Sequence, residues 1–517
     1  MNWKKISLCA SVLALPSLAY ATPPHGYSEA EIDTLVHAAM ETFHIPGMSV
    51  GVIKDGHIVH LKGYGVRDIT KKGKVNPKTM FSIASTSKAF TGAALAILVD
   101  EGKIKWEDKV TDYIPEFQMY DPWVTREFTI RDLMIHNSGL GRGTGDLMFW
   151  PSTDFTRTEV IANLRHLKPT SSFREKHSYS NLMYIIAGEI VPAVTGMSLE
   201  DFTDTRIMKP LGMRQCTANR TRLKHHKNIA TPHILQDGKL ITVARMKPVH
   251  EELLIAAPGG IECSAQSLLK WLAMHLSEGK IPNGKALISA KGHEKLLQPQ
   301  TTRKPNTLER DWFNTHFKSY GIGWSLQDAH GYKWAAHAGG LHGMQSYVGL
   351  LPEKEVGIVV LTNQQSGEGL RAIFYGLMTS YISDENIDWV ERFKTLQALQ
   401  TPVTLPDFTT NIYMPTTPLA DYVGTYRDVW FGDITISKNK NGLRVKSARS
   451  PRLTGKLIAY KDNLFVAKWD DRTLEADAYL QFSDGPKGML NTISMKAVSP
   501  VTDFSFDFQD LDFKRVK

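Results

Sequence analysis

A serine three residues ahead of a lysine sets a hydroxyl and an amine on one helix face, where the amine can take the hydroxyl's proton and leave a nucleophilic oxygen. Ser85 and Lys88 stand in that relation inside FSIASTSKAF. The same spacing recurs at Ser267/Lys270, Ser277/Lys280 and Ser437/Lys440, so spacing alone selects nothing. Setting does. The first pair alone opens a long apolar helical run, AFTGAALAILVDEG, after a non-helical KTMFSIAS. A serine at that point has a backbone N–H left unpaired by the helix, which together with the helix dipole can stabilise an oxyanion. Ser267 and Ser277 fall around another helix, and Ser437 lies in a turn-rich strand.

A lysine with its ordinary pKa near 10.4 is protonated and cannot act as a base. Burial, or a nearby cation or proton donor, would lower it. A phenol suits that role, and HSYSNLMYIIAG places Tyr179 and Asn181 just ahead of a second apolar helix. Tyr179 can relay a proton, while Asn181 can orient Lys88 and hold a substrate carbonyl. Farther along, His337-Ala338-Gly339-Gly340 joins a histidine to two glycines. Each motif alone has an ordinary structural reading, the glycines included, since they permit close backbone packing.

Taken together and in order, these residues resemble the serine β-lactamase and penicillin-binding-protein superfamily, in its class C-like branch with D-aminopeptidases and esterases. The resemblance spans roughly residues 25 to 390 and rests on FSIASTSKAFTG, TIRDLMIHNSGL, YSN, KPLGM, APGG, YGIGW and HAGG. It implies that Ser85 is the acylated nucleophile, Lys88 its base or proton shuttle, Tyr179 a second base and Asn181 a substrate-positioning amide. It implies further that His337 and Gly339 line the substrate pocket and that Gly340 offers the second oxyanion-hole N–H beside that of Ser85. Class C β-lactamases carry lysine where this chain has His337, and histidine is mostly neutral at pH 7. The departure weighs against efficient β-lactam hydrolysis and towards the peptidase and esterase side, where H-x-G is found. His136-Asn137-Ser138-Gly139 is expected to fix a turn, and Lys224-His225-His226-Lys227 with His233 to form a solvated loop, since no carboxylate completes a ligand set. No metal and no cofactor are expected.

The remaining chain must position these groups. Its 517 residues suggest two domains, and 42% hydrophobic with 22% charged residues describes a globular protein. The formal charge of +8 is dispersed, which argues against nucleic-acid binding and leaves affinity for anionic cell-envelope polymers open. MNWKKISLCASVLALPSLAYA reads as a secretory leader cleaved after Ala21, its apolar run too short for a membrane span. Cys216 and Cys263 then remain, with no zinc-type spacing and no proof from sequence that they meet.

EAEIDTLVHAAMETF has helical spacing, and MSVGVIKDGHIVHLKGYG reads as a hairpin turning at Asp55-Gly56. MQSYVGLL and EVGIVVLTN are strands joined by Pro-Glu-Lys, with a helix expected to follow through about Ala398. Strands from both ends of the first 400 residues therefore flank a helical middle. That order predicts an α+β fold, with one antiparallel sheet flanked by helices and an inserted helical subdomain. The expected domains are 22–400 for the hydrolase-like part, a Pro/Thr-rich linker at 401–418, and a small all-β barrel at 419–517. The barrel resembles the lipocalin-like domain appended to some of these hydrolases, and would cap the active site or mediate association.

The leading expectation is an exported serine hydrolase that cleaves an amide or ester of a small-molecule or peptide substrate through a Ser85 acyl-enzyme. The alternatives are a class C-like β-lactamase or D-Ala-D-Ala carboxypeptidase, and an inactive binding protein for cell-wall peptide or lipid. Retention of Ser85, Lys88 and Tyr179 argues against the last. A homo-oligomer stays open.

Overall fold

The protein is seen in a computed structural model that describes residues 25–246, 253–399, 413–484 and 490–516. The expected leader and most of the expected linker lie outside the described residues.

An eight-stranded, wholly antiparallel sheet forms the frame. Its order from one edge is His57–Gly65, Gly47–Lys54, Val356–Thr362, Met344–Leu351, Tyr332–Leu341, Ser325–Ala329, Lys318–Tyr320 and Thr301–Arg303. Strands from both chain ends thus meet at Gly47–Lys54 against Val356–Thr362, and the helical middle is excluded from the sheet. The first hairpin turns where Asp55 and Gly56 both take positive φ, the conformation a two-residue turn needs to follow strand twist. Strand alternation sends Met48, Val50 and Val52 into one core and Ile53 into the other, so the sheet is buried on both faces.

One face is covered by the helices Glu29–Thr42, Gly367–Thr379 and Trp389–Leu399, and the other by Ala265–Leu276 and the helical middle. The first helix starts in a reciprocal capping box between Ser28 and Glu31. The single helix expected after the last strand is two, because residues 380–388 break it and only Trp389 onward resumes helical pairing. Packing on the first face is close. Phe374 stacks on Tyr347 with ring centroids 3.8 Å apart, and a Cβ at Gly349 would lie 2.5 Å from the Phe374 ring.

The middle segment holds the apolar helices Lys88–Asp100 and Asn181–Thr195, the second ended by Gly196 in the left-handed conformation. A short second sheet sets Met80–Ser82 and Cys216–Thr217 on either side of Glu262–Ser264. Its register places Cys216 opposite Cys263, and the two form a disulfide. Among the described residues no single helix is long and apolar enough to cross a membrane.

Beyond residue 413 eight strands from Gly424–Asp428 to Asp512–Arg515 close a barrel. DITIS shows how: Ile434 and Ile436 are buried while Thr435 and Ser437 face out. The interior is filled by side chains, among them Tyr422, Phe465 and Phe482, whose rings meet edge to face about 5 Å apart. The barrel is docked on residues 142–163. Asn163 Nδ2 donates to the Trp430 carbonyl at 3.0 Å, and Arg449 bridges to Asp154 and Glu159.

The stacked, fully buried Phe374 makes a direct test of the first core. Phe374→Ala should destabilise the protein by about 3–5 kcal/mol, the usual cost of emptying an aromatic core site. Chemical denaturation should show the midpoint falling without a change in the barrel's own far-ultraviolet signature.

Candidate active site

The strand Met80–Ser82 ends against a tight turn, and helical pairing begins with a single 3-10 turn over Ala84–Ser87. Ser85 therefore sits in the 3-10 entry and not in the α-helix proper, which starts at Lys88. Ala84 has φ +48°, a strained value for a residue with a side chain, and it is the residue that turns the chain so that Ser85 faces the cavity. The turn is pinned from the sheet: Ser346 Oγ donates to the Ile83 carbonyl at 2.6 Å and lies 2.9 Å from the Thr86 hydroxyl.

Lys88 is fully buried. Its Nζ lies 3.2 Å from Ser85 Oγ, and donates to Asn181 Oδ1 at 2.7 Å and to the Pro258 carbonyl at 3.0 Å. Among the described residues no carboxylate hydrogen-bonds to it. Burial pulls the amine down to about 7, against an opposing pull from the Asp146 carboxylate, which reaches it only through Asn181. Tyr179 passes over this group, its ring centroid 4.7 Å from Nζ, and its phenol reaches Ser85. Burial pushes that phenol well above its ordinary value, so it is held neutral.

Asn181 is the first residue of its helix, after Ser180, whose hydroxyl caps the helix N-terminus. The Asn181 amide is spent on the protein: Oδ1 on Lys88, and one Nδ2 hydrogen on Asp146 Oδ2 at 2.9 Å. Upstream, His136 and Gly139 take positive φ, and their carbonyls accept from Ser178, Thr170 and Ser171. His136 Nδ1 accepts from the Ser180 N–H at 3.1 Å. The expected turn at His136–Gly139 thus latches the Tyr179 segment in place, with Ser138 buried within it.

The strand Tyr332–Leu341 runs beside Ser85, and its pairing to Ser325–Ala329 stops at the Ser325–Ala336 pair. His337 to Leu341 therefore pair with one neighbour only, leaving the other edge towards the cavity. His337 is buried, with Nε2 2.9 Å from the Tyr320 hydroxyl and Nδ1 2.7 Å from the Ala338 carbonyl. The carbonyl can only accept, so Nδ1 carries the hydrogen and Nε2 accepts from the phenol. Burial first, then Lys88, pushes its pKa down to about 3, and the ring is neutral. Gly339 packs under Ser85: a Cβ there would lie 2.2 Å from the Ile83 carbonyl oxygen and 3.0 Å from the Ser85 nitrogen. Gly340 faces open space.

All seven residues expected from sequence line one cavity of about 690 Å³ or stand directly against it. His233, expected in a solvated loop, is instead buried, its two nitrogens on the Asn363 carbonyl and the Ile69 N–H. Of the other Ser/Lys pairs, Lys270 donates to the Gly212 carbonyl and Ser267 accepts from the Gln215 N–H, while Ser277/Lys280 and Ser437/Lys440 are exposed.

Four contributors to the site carry no sequence signal of a chemical role: Pro258, Tyr320, Asp146 and the barrel segment 503–506. The first two lie in the quoted APGG and YGIGW stretches, which carried no assigned chemistry. Asp146, in GTGDLMF, had no motif to mark it. The barrel segment lines the cavity from 418 or more residues beyond Ser85, a proximity no local pattern encodes.

The chain as a whole is similar to known proteins. The beta-lactamase family model matches residues 32–376, and a model of a domain of unknown function, DUF3471, matches residues 410–515. Unguisins hydrolase ungD' of Aspergillus campestris (strain IBT 28561) is 26% identical over 484 residues, 88% of this chain and 86% of that one. Protein flp of Staphylococcus aureus (strain MW2) is 30% identical over 346 residues, 66% of this chain and 64% of flp. An octameric penicillin-binding protein homologue from Pyrococcus abyssi superposes with a TM-score of 0.60 at 19% identity, covering 94% of this chain and 99% of that one.

The two glycines make opposite predictions. Gly339→Ala should cost about 1–3 kcal/mol, because its Cβ must displace the nucleophile turn. Gly340→Ala should leave the melting temperature where it is. Parallel thermal melts decide, and equal losses in both variants would refute the packing described.

Proposed function

Since the chain belongs to the beta-lactamase family, we propose that it is a serine hydrolase that cleaves an amide or ester bond through an acyl-enzyme on Ser85. The observation that carries this reading is the coordination of Lys88. A free amine has two hydrogens and one lone pair. Asn181 Oδ1 and the Pro258 carbonyl take the two hydrogens, which turns the lone pair towards Ser85 Oγ at 3.2 Å.

In the proposed sequence Ser85 gives its proton to Lys88 while Oγ bonds to the acyl carbon and the carbonyl pair moves onto oxygen. That oxyanion lies towards the N–H groups of Ser85 and Gly340. Collapse breaks the bond to the amine or alcohol, which leaves with a proton from the Tyr179 phenol. Lys88 returns its proton to Tyr179. A phenol held neutral by burial suits a carrier of this kind better than a resting base, so the base is assigned to Lys88. Water then repeats the sequence on the acyl group, releases the acid and restores Ser85.

The reading gives His337 itself no charge to offer a substrate; among the described residues, the cations on the cavity wall are Arg142, Arg303, Lys318 and Arg371. A neutral imidazole whose two nitrogens are engaged offers no cation to a carboxylate. A relative that covers most of this chain is itself named a hydrolase. Export is part of the proposal: the leader-like residues 1–21 and the Cys216–Cys263 disulfide both suit an oxidising compartment.

Ser85→Ala should abolish labelling by a fluorophosphonate probe and turnover of p-nitrophenyl acetate while the protein stays folded. Lys88→Arg should be as inactive as Lys88→Ala, because a guanidinium keeps its proton. Labelling retained in Ser85→Ala would remove the nucleophile, and efficient acylation of the arginine variant would remove the base.

In the wild type, kcat/KM for the ester should rise with pH through about 7, as Lys88 loses its proton, and not near 10. The same value should exceed that for nitrocefin. A higher value for nitrocefin would favour the β-lactamase reading.

A further inference from the structure

The segment of the barrel between the strands Leu490–Ala497 and Asp512–Arg515 reaches into the catalytic half. Three of its side chains engage consecutive groups of one turn. Asp507 accepts from the Gly145 N–H at 2.6 Å and the Leu147 N–H at 3.0 Å, and Asp510 accepts from the Thr144 hydroxyl at 2.7 Å. Ser505 donates to Asp146 Oδ2 at 2.8 Å. Phe504 follows the same path, edge-on to Tyr179 at 5.9 Å and under the Arg142 guanidinium at 4.3 Å. A Cβ at Gly143 would lie 2.5 Å from the Phe504 carbonyl oxygen, so a glycine permits the approach.

Asp146 is the unusual member. It is fully buried, its Oδ2 receives only the neutral donors Ser505 and Asn181, and its Oδ1 has no hydrogen-bond partner among the described residues. A carboxylate so placed is costly, and an asparagine would make the same two contacts more cheaply. What the carboxylate adds is charge, directed along one amide: Asp146 Oδ2 to Asn181 Nδ2 at 2.9 Å, then Asn181 Oδ1 to Lys88 Nζ at 2.7 Å.

We propose that Asp146 is a positioning residue of the active site, acting on Lys88 through the Asn181 amide, and that the C-terminal barrel completes the site by holding Asp146 with Ser505. The proposal rests on the assignment of Ser85 and Lys88 given above. Ionised Asp146 favours the ammonium form of Lys88, and protonated Asp146 favours the free amine. The two groups titrate in the same range, each drawn to about 7 by burial, and so act as a coupled pair.

The surrounding charges divide by element. From the barrel, Asp503, Asp507 and Asp510 press Asp146 towards its protonated form, directly or through one another. From the catalytic half, Lys88 opposes them. His136 and His337 are neutral beside Lys88, Tyr179 is a neutral phenol, and Arg142 stands over Phe504.

The test is the pH dependence of fluorophosphonate labelling of the full chain between pH 5 and 9, with folding followed by thermal melts. Asp146→Asn removes the negative charge, so the acid limb should move to lower pH by about one unit, the scale of a neighbouring charge's influence. The ratio of labelling rate at pH 6 to that at pH 8 then rises about fivefold. Ser505→Ala takes a donor from the carboxylate and favours its protonated form. Its limb should move the same way by less, and Ser505→Thr, which keeps the hydroxyl, should restore the wild-type profile.

Acid limbs that coincide with the wild type in both Asp146→Asn and Ser505→Ala, whatever the absolute rates, would overturn the proposal while leaving the nucleophile assignment standing. If the asparagine variant does not fold, the Ser505 pair decides alone. A wild-type protein that is not labelled, or a Ser85→Ala variant that is, would defeat the assignment and the proposal together.

Discussion

A buried amine hydrogen-bonded to neutral groups is the constraint on which the rest of the structure turns. Lys88 enters the interior at the first turn of an apolar helix, and every group that touches it is neutral. In water its proton would be held near pH 10.4; here desolvation releases it near neutrality. The arrangement has a stability cost, since the unfolded chain regains a fully solvated ammonium. The packing that bears this cost is extensive, with Phe90, Leu95 and Leu98 of the same helix fully covered.

Precision at Ser85 comes from rigid neighbours. The strained Ala84, the Ser346 bond to Ile83 and the close approach of Gly339 all bear on one turn. The sheet contributes by ending a strand pairing at Ser325–Ala336, so that His337 onward runs past the nucleophile with one edge unpaired. His337 itself is held by Tyr320 and its own backbone, which makes it a fixed wall of the cavity and not a mobile base. A site built on such elements is pre-organised, as electrostatic catalysis requires.

The barrel is more than an appendage. Its interior is occupied by its own aromatic and aliphatic side chains, so its contribution lies on the outside, in the loop that meets residues 142–150. The contacts there are polar and buried, and their geometry must be met at once. That makes the docked position specific in a way an apolar patch would not be.

Local pattern was enough to single out Ser85 with Lys88 and to expect one antiparallel sheet built from strands of both ends of the first 400 residues. These are local facts: a serine and lysine three apart on an apolar helix, an Asp-Gly hairpin, alternating strands in DITIS. Local geometry follows from periods of two and 3.6 residues, which a sequence displays directly. The sequence did not reveal the break in the last helical stretch, nor the burial of His233, because both depend on what packs against them. Only the tertiary structure decided that Cys216 faces Cys263, that the Pro258 carbonyl and Tyr320 belong to the site, and that Asp146 is gripped by Ser505 from 359 residues away. Such contacts are made by docking of whole elements, and the burial that shifts a pKa exists only once the elements have docked.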